Sequence, residues 1–163
     1  MFTLQDQTVI NAPIERCFLL STSVAIVQRE LGMHPAKGRV SGLVTAGDKI
    51  LWKGWQLGLP QYHHSVISRF EPYRFFQDTM IAGRFKTFQH DHAFTPNAEG
   101  SITLADELRF SLPFGLLGHV VSRLIMVPHI SGLLRRRFRL LKRIAESDEW
   151  REYLPGGDTH LTP

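Results

Sequence analysis

The chain has 163 residues, 43 % of them apolar and 21 % charged. That length suits one domain with one core, and the ordinary composition excludes disordered, collagen-like and disulfide-framework classes. A single cysteine, Cys17, excludes an intramolecular disulfide and a multi-cysteine zinc site, and the net charge of +4 comes from residues 115–143, which carry seven basic residues and no acidic one.

Residues 1–10 lack the basic start and long apolar run of a signal peptide, so a reducing cytoplasm is the expected compartment. Phe2–Ile10 reads as a strand. Asn11 and Pro13 suit a helix start, and Ile14, Cys17, Phe18, Leu19 and Leu20 supply a short apolar face, with Cys17 buried and inert. Ser21–Ser23 interrupt it. Val24–Leu31 reads as a second short helix, stopped by Gly32 and Pro35. Six further strands are predicted at Arg39–Thr45, Lys49–Leu57, Tyr62–Phe70, Phe75–Ala82, Lys86–Thr95 and Ile102–Leu112, separated by Gly- and Pro-bearing turns, as in an antiparallel meander.

From Phe114 the pattern turns helical. Ile130, Leu133, Leu134, Phe138, Leu141, Ile144 and Ala145 form one apolar stripe, and Pro128 should divide a shorter helix from a longer one. Residues 110–134 carry a single charge, Arg123. That charge, two prolines and two histidines oppose a membrane span, so the stretch reads as a buried helix, with Phe114–Leu117 as an alternative apolar lip at a cavity mouth. The predicted class is α+β: a seven-stranded antiparallel sheet, curved around a long C-terminal helix, with two short helices after the first strand. The domain is placed at 1–146 and a tail at 147–163, loose from Pro155.

This order resembles the SRPBCC superfamily, the START and birch-pollen-allergen-like helix-grip fold. N-A-P-I-E-R at 11–16 resembles its entry to the first helices. F-x-D-x-M-I-x-G-x-F at 76–85, F-x-H-x-H-x-F at 88–94 and L-P-F-G at 112–115 resemble a bacterial subgroup labelled cyclase/dehydrase-like. Phe88 stands where that subgroup often has Trp. The resemblance implies a cavity between sheet and long helix that receives lipids, polyketides or other apolar molecules.

His90 and His92 share one strand face with Phe88 and Phe94. A three-residue loop at Gly83 sets Asp78 opposite His90, Phe76 opposite His92 and Met80 opposite Phe88. A two-residue loop sets Gln77 opposite His90 instead. The first register groups the apolar residues better. A carboxylate beside an imidazole can fix its tautomer and raise its basicity, or simply lock the strand register. Two histidines on one strand fall short of a three-ligand metal set. Asp106 and Glu107 face opposite ways, so they form no catalytic pair. Asp106 either pairs with His92 or an Arg, or faces solvent. Of His63 and His64, and of Trp52 and Trp55, one each can face a cavity. Arg135, Arg136, Arg137, Arg139, Lys142 and Arg143 read as a solvated helix face, with an anionic membrane surface as the alternative partner. No nucleic-acid motif accompanies the charge.

The reading that leads is a binding protein enclosing an apolar small molecule, without cofactor or metal, in preference to an enzyme. Trp52, Phe76, Met80, Phe88, His90, His92, Phe110 and Phe138 are the candidate ligand contacts. The alternatives are a cyclase- or dehydratase-type enzyme using His90 or His92 with Asp78 or Asp106, and a peripheral membrane lipid carrier.

Overall fold

The computed structural model describes residues 1–154; the expectation for residues 155–163 lies outside them. Strand β1 (Phe2–Ile10) is followed by helices α1 (Ile14–Ser21) and α2 (Val24–Leu31). Strands β2 (Met33–Gly38), β3 (Lys49–Gln56), β4 (Leu59–Glu71), β5 (Phe75–Gly83), β6 (Thr87–Pro96) and β7 (Ile102–Ser111) come next. The chain ends in α3 (Gly115–Val121), a π-helical turn at Ser122–Met126, α4 (Val127–Ala145) and a short α5 (Trp150–Tyr153). All seven strands form one antiparallel sheet in the order β1-β7-β6-β5-β4-β3-β2. This is the predicted α+β helix-grip architecture.

One predicted strand is misplaced. Arg39–Thr45 sets Val40, Leu43 and Val44 among polar residues, yet the second strand is Met33–Gly38. Gly32 ends α2 in the left-handed region (φ 63°), the usual exit for a residue without a Cβ, and the chain runs straight into β2. Pro35 is tolerated because β2 is an edge strand with a register shift between Pro35 and Lys37. Residues 39–48 stay irregular, with Gly38, Gly42 and Gly47 all at positive φ. Arg39 pairs with Asp48, whose carboxylate also accepts the Thr45 N–H. Another turn moves too. The β3–β4 hairpin closes through Leu57 and Gly58, both at positive φ, rather than at Pro60, which lies within β4 opposite Trp55.

Pro128 begins α4 in its first turn, and the π-helical turn before it absorbs the break. Gly118 is required in α3: a Cβ there would lie 1.9 Å from the Pro113 carbonyl oxygen. The stretch 115–126 is not the buried helix expected. Phe114 and Leu116 are each 81 % exposed and Leu124 is 69 % exposed. The reason is that, among the described residues, nothing covers the outer face of α3 and the π-helical turn, whereas α4 packs on β1, α1 and α2.

Packing continues past residue 146, where the tail was placed. Trp150 and Leu154 are buried with Phe18, Leu141 and Ile144 in the main core cluster. A second cluster holds Leu108, Phe110, Ile130 and Leu134. Along β7, Asp106 separates Leu104 of the first cluster from Leu108 of the second. Along α4, Arg137 falls between Leu134 of the second and Phe138 of the first. A buried polar group therefore sits where the two apolar clusters meet.

Candidate functional site

The concave face of the sheet, α2 and the α3–α4 helix enclose a cavity of about 760 Å³. Trp52, Ile67, Phe76 and Phe88 from the strands and Val27, Ile130 and Leu134 from the helices give it mainly apolar walls. Its mouth lies among Leu57, Leu59, Tyr62, Phe114 and Ile125, all exposed apolar side chains. Of the candidate contacts, Trp52, Phe76, Phe88, His90 and His92 line it. Phe110 and Phe138 are instead fully packed in the two core clusters, and Met80 is not on the wall. Of the two ambiguous pairs, His63 and Trp52 face the cavity; Trp55 is 68 % exposed.

The preferred β5–β6 register is the observed one: Asp78 is opposite His90 and Phe76 opposite His92. The ladder stops at Thr79 and Gln89, so no tight three-residue hairpin forms at Gly83. Beyond that point β5 keeps its pairing to β4, with Ala82 and Gly83 opposite His64 and His63.

Direct register does not make Asp78 the partner of His90. Both histidines bond to Asp106 of the neighbouring strand, His90 Nε2 at 3.1 Å and His92 Nδ1 at 2.9 Å. Asp106 is thus buried rather than solvent-facing. It accepts a third bond from Arg137 Nε at 2.9 Å, and Arg137 Nη1 reaches Glu30 of α2 at 3.0 Å. Arg137 corrects the reading of the basic cluster: it is 2 % exposed, while Arg135, Arg136, Arg139 and Arg143 face solvent. Arg137 and Glu30 are site residues missed in the sequence, as are the wall residues Val27, Ile67, Ile130 and Leu134. The signal was present for Arg137, which stands three after Leu134 and four before Leu141, on the apolar stripe itself.

Burial pushes the Asp106 carboxyl up, but His92, Arg137 and His90 outweigh it and hold it well below the usual carboxylate range. Burial, with the adjacent His90, pulls His92 down to about 3, so its ring is neutral at ordinary pH. Burial raises Glu30 against the opposing pull of Arg137. Burial alone would lower Arg137; Glu30 and Asp106 reverse that and raise it. With Asp106 ionised, its carboxylate accepts from His92 Nδ1 and from His90 Nε2. Among the described residues the second nitrogen of each ring has no protein partner, and both rings border the cavity. His92 also stacks on Phe76, with centroids 4.2 Å apart.

His90, His92 and Asp106 bring one ligand atom each within 4.8 Å of one another, a three-ligand grouping that the two histidines alone did not offer. Asp106 already neutralises Arg137, whose guanidinium lies 3.3 Å from His92 Nδ1. A fixed cation in that position repels a divalent one. The arrangement suits hydrogen-bonded imidazoles better than a metal.

No family model and no curated protein matches this chain by sequence. Solved structures do match in fold. The protein TTHA0849 of Thermus thermophilus aligns with TM-score 0.66 and 16 % identity, over 86 % of this chain and 97 % of its own. A START superfamily protein of Mycobacterium smegmatis aligns with TM-score 0.59 and 12 % identity, over 85 % and 98 %. Norcoclaurine synthase of Thalictrum flavum, in complex with dopamine and hydroxybenzaldehyde, aligns with TM-score 0.65 and 8 % identity, over 88 % and 85 %. The chain shares the helix-grip fold of these solved structures. Proteins of that fold include both ligand-binding and enzyme-like members.

Proposed function

We propose that this protein encloses an apolar small molecule, a lipid, polyketide or similar, between its sheet and its C-terminal helix. The observation that carries this reading is the cavity of about 760 Å³, apolar along its walls and polar at the Asp78, His90 and His92 end. Its size is within the usual range for small-molecule sites, and a few placed polar groups on apolar walls give orientation. Native mass spectrometry of the purified protein is the test, followed by titration with a polarity-sensitive dye. A co-purified apolar molecule, or dye binding that Val27→Trp abolishes by filling the cavity, is the expected result. No ligand and no dye uptake would overturn it.

A second reading, a cyclase- or dehydratase-type enzyme, is favoured by one arrangement. His90 lines the cavity while Asp106 holds its Nε2, and that carboxylate would stabilise the imidazolium if the ring took a proton from a ligand. Asp106, rather than Asp78, is the carboxylate in that role. The ligand recovered from the protein should then lose water, or rearrange, on incubation with the wild-type chain and persist with His90→Gln. Unchanged ligand in both leaves binding alone. The lipid-carrier reading is supported by the apolar rim at the mouth, and vesicle binding tests it.

A further inference from the structure

Asp78 is an acidic group of the cavity wall that the proposed mechanisms leave unused. It lines the wall on β5, and its Oδ1 is enclosed without a hydrogen-bond partner. Among the described residues it has no ion pair; its polar neighbours are Ser65, His63 and His90. The other charged groups of the wall are accounted for. Glu30 shares Arg137 with Asp106, and Asp48 is paired with Arg39. Arg84 is exposed. Among the described residues Arg137 is thus the single buried guanidinium of the wall, and two carboxyls already compensate it.

At the buried end an entering carboxylate would meet the Glu30 and Asp78 carboxyls of the wall, with Asp106 enclosed behind the histidines, against that one cation. There it would shed its hydration without gaining an uncompensated cation. An ammonium or hydroxyl group meets the reverse situation. The Asp78 carboxyl accepts its hydrogens, and a turn about the Asp78 Cβ–Cγ bond exchanges which oxygen faces the cavity. The ring nitrogen of His90 that Asp106 does not hold, directly across the β5–β6 ladder from Asp78, offers a further polar contact.

We infer that the cavity selects amphiphiles with a hydrogen-bond-donating head, an amine or a hydroxyl, seated on the Asp78 carboxyl and beside His90, and that it rejects carboxylate heads of the same chain length. This deepens the binding role proposed above and rests on it. Burial also pushes the Asp78 carboxyl up, consistent with a group that gains from a ligand donor the stabilisation water would otherwise give.

The test is displacement of bound Nile red by dodecylamine, dodecanol and dodecanoate, each below the concentration at which it aggregates. On the unmodified protein, the amine and the alcohol should displace dye at concentrations at least about tenfold lower than dodecanoate. Asp78→Asn keeps an acceptor but removes the charge. It should erase the advantage of the amine and keep that of the alcohol; Asp78→Leu should erase both. Equal potency of the three heads, or a preference for dodecanoate, overturns the inference and leaves the binding role standing. So does an unchanged ranking in a folded Asp78→Asn protein. Failure of the dye to bind at all removes the binding role and this inference together. The ranking on the unmodified chain decides the matter even where a variant fails to fold.

Discussion

Arg137 holds two carboxylates that neither strand nor helix could bury alone. Removing one partner from such a group leaves uncompensated charge in the interior, whereas replacing all the partners need not. Arg137→Met should therefore destabilise the fold by about 3–5 kcal/mol, read as a shift in urea midpoint. Arg137→Met combined with Glu30→Leu and Asp106→Asn should recover much of that loss. A single substitution that costs nothing would mean the ion pairs do not form in solution. His92 adds a pH dependence whose sign follows from its depressed pKa. Folded His92 stays neutral down to about 3, while an unfolded histidine takes up its proton near 6.5. The unfolded chain thus binds the extra proton first, and stability falls as pH drops from about 6.5 toward 3, by up to ~1.4 kcal/mol per pH unit for this one group. His92→Asn keeps a donor for Asp106 without the titration, so its stability should fall less steeply over that window in unfolding curves collected at successive pH values. Parallel slopes would show that His92 does not titrate as described.

Helix α4 owes its position to both ends of its apolar stripe. Ile130 and Leu134 join the cluster near the cavity, and Phe138, Leu141 and Ile144 join the main core. Beyond it, α5 closes the main core with Trp150, whose ring also carries the Arg16 guanidinium at 4.3 Å. Trp150→Ala should cost about 3–5 kcal/mol through cavity formation and lost contacts. A thermal or denaturant midpoint unchanged by that substitution would place residues 147–154 outside the cooperative unit. The helices α1 and α2 show how backbone geometry can stand in for side-chain caps. Neither has a capping side chain. Instead, the Val24 N–H donates to the Gly42 carbonyl and the Val44 N–H to the Thr22 carbonyl, so the irregular segment 39–48 is stitched to the α1–α2 junction.

The apolar rim and the basic surface belong to the molecule as a body. Phe114, Leu116, Leu117, Val120, Leu124 and Ile125 are exposed along one stretch of chain. The segment 115–145 is long and apolar enough by composition to cross a membrane, and only 17 % of its most apolar window is buried. The sequence segments 49–70, 79–90 and 108–145, which supply most of the cavity mouth, contain no acidic residue. If this face docks on an anionic bilayer, the protein should sediment with phosphatidylserine vesicles and be released by salt. Leu116→Ser with Leu124→Ser should weaken that binding, as should neutral replacement of Arg135, Arg136 and Arg139. Absence of sedimentation at low salt would leave the rim as the entrance to the cavity alone.

The order of elements was legible in the sequence because each signal is local. Alternation marks β1 and β7, a 3–4 spacing marks α4, and Pro128 marks its start; the face shared by His90 and His92 follows from strand geometry alone. Where local signals competed, the outcome depended on what a segment could pair with. Arg39–Thr45 looks as extended as Met33–Gly38, but β3 offers its free edge to the latter. The partners within the site were decided only by the folded chain. Asp106 is 14 residues from His92, Arg137 a further 31, and Glu30 is 107 from Arg137. No spacing rule joins positions so far apart. Burial on three elements at once made one arginine of a basic run a core residue, turned Asp106 rather than Asp78 toward the histidines, and left Asp78 as the carboxyl without a charged partner.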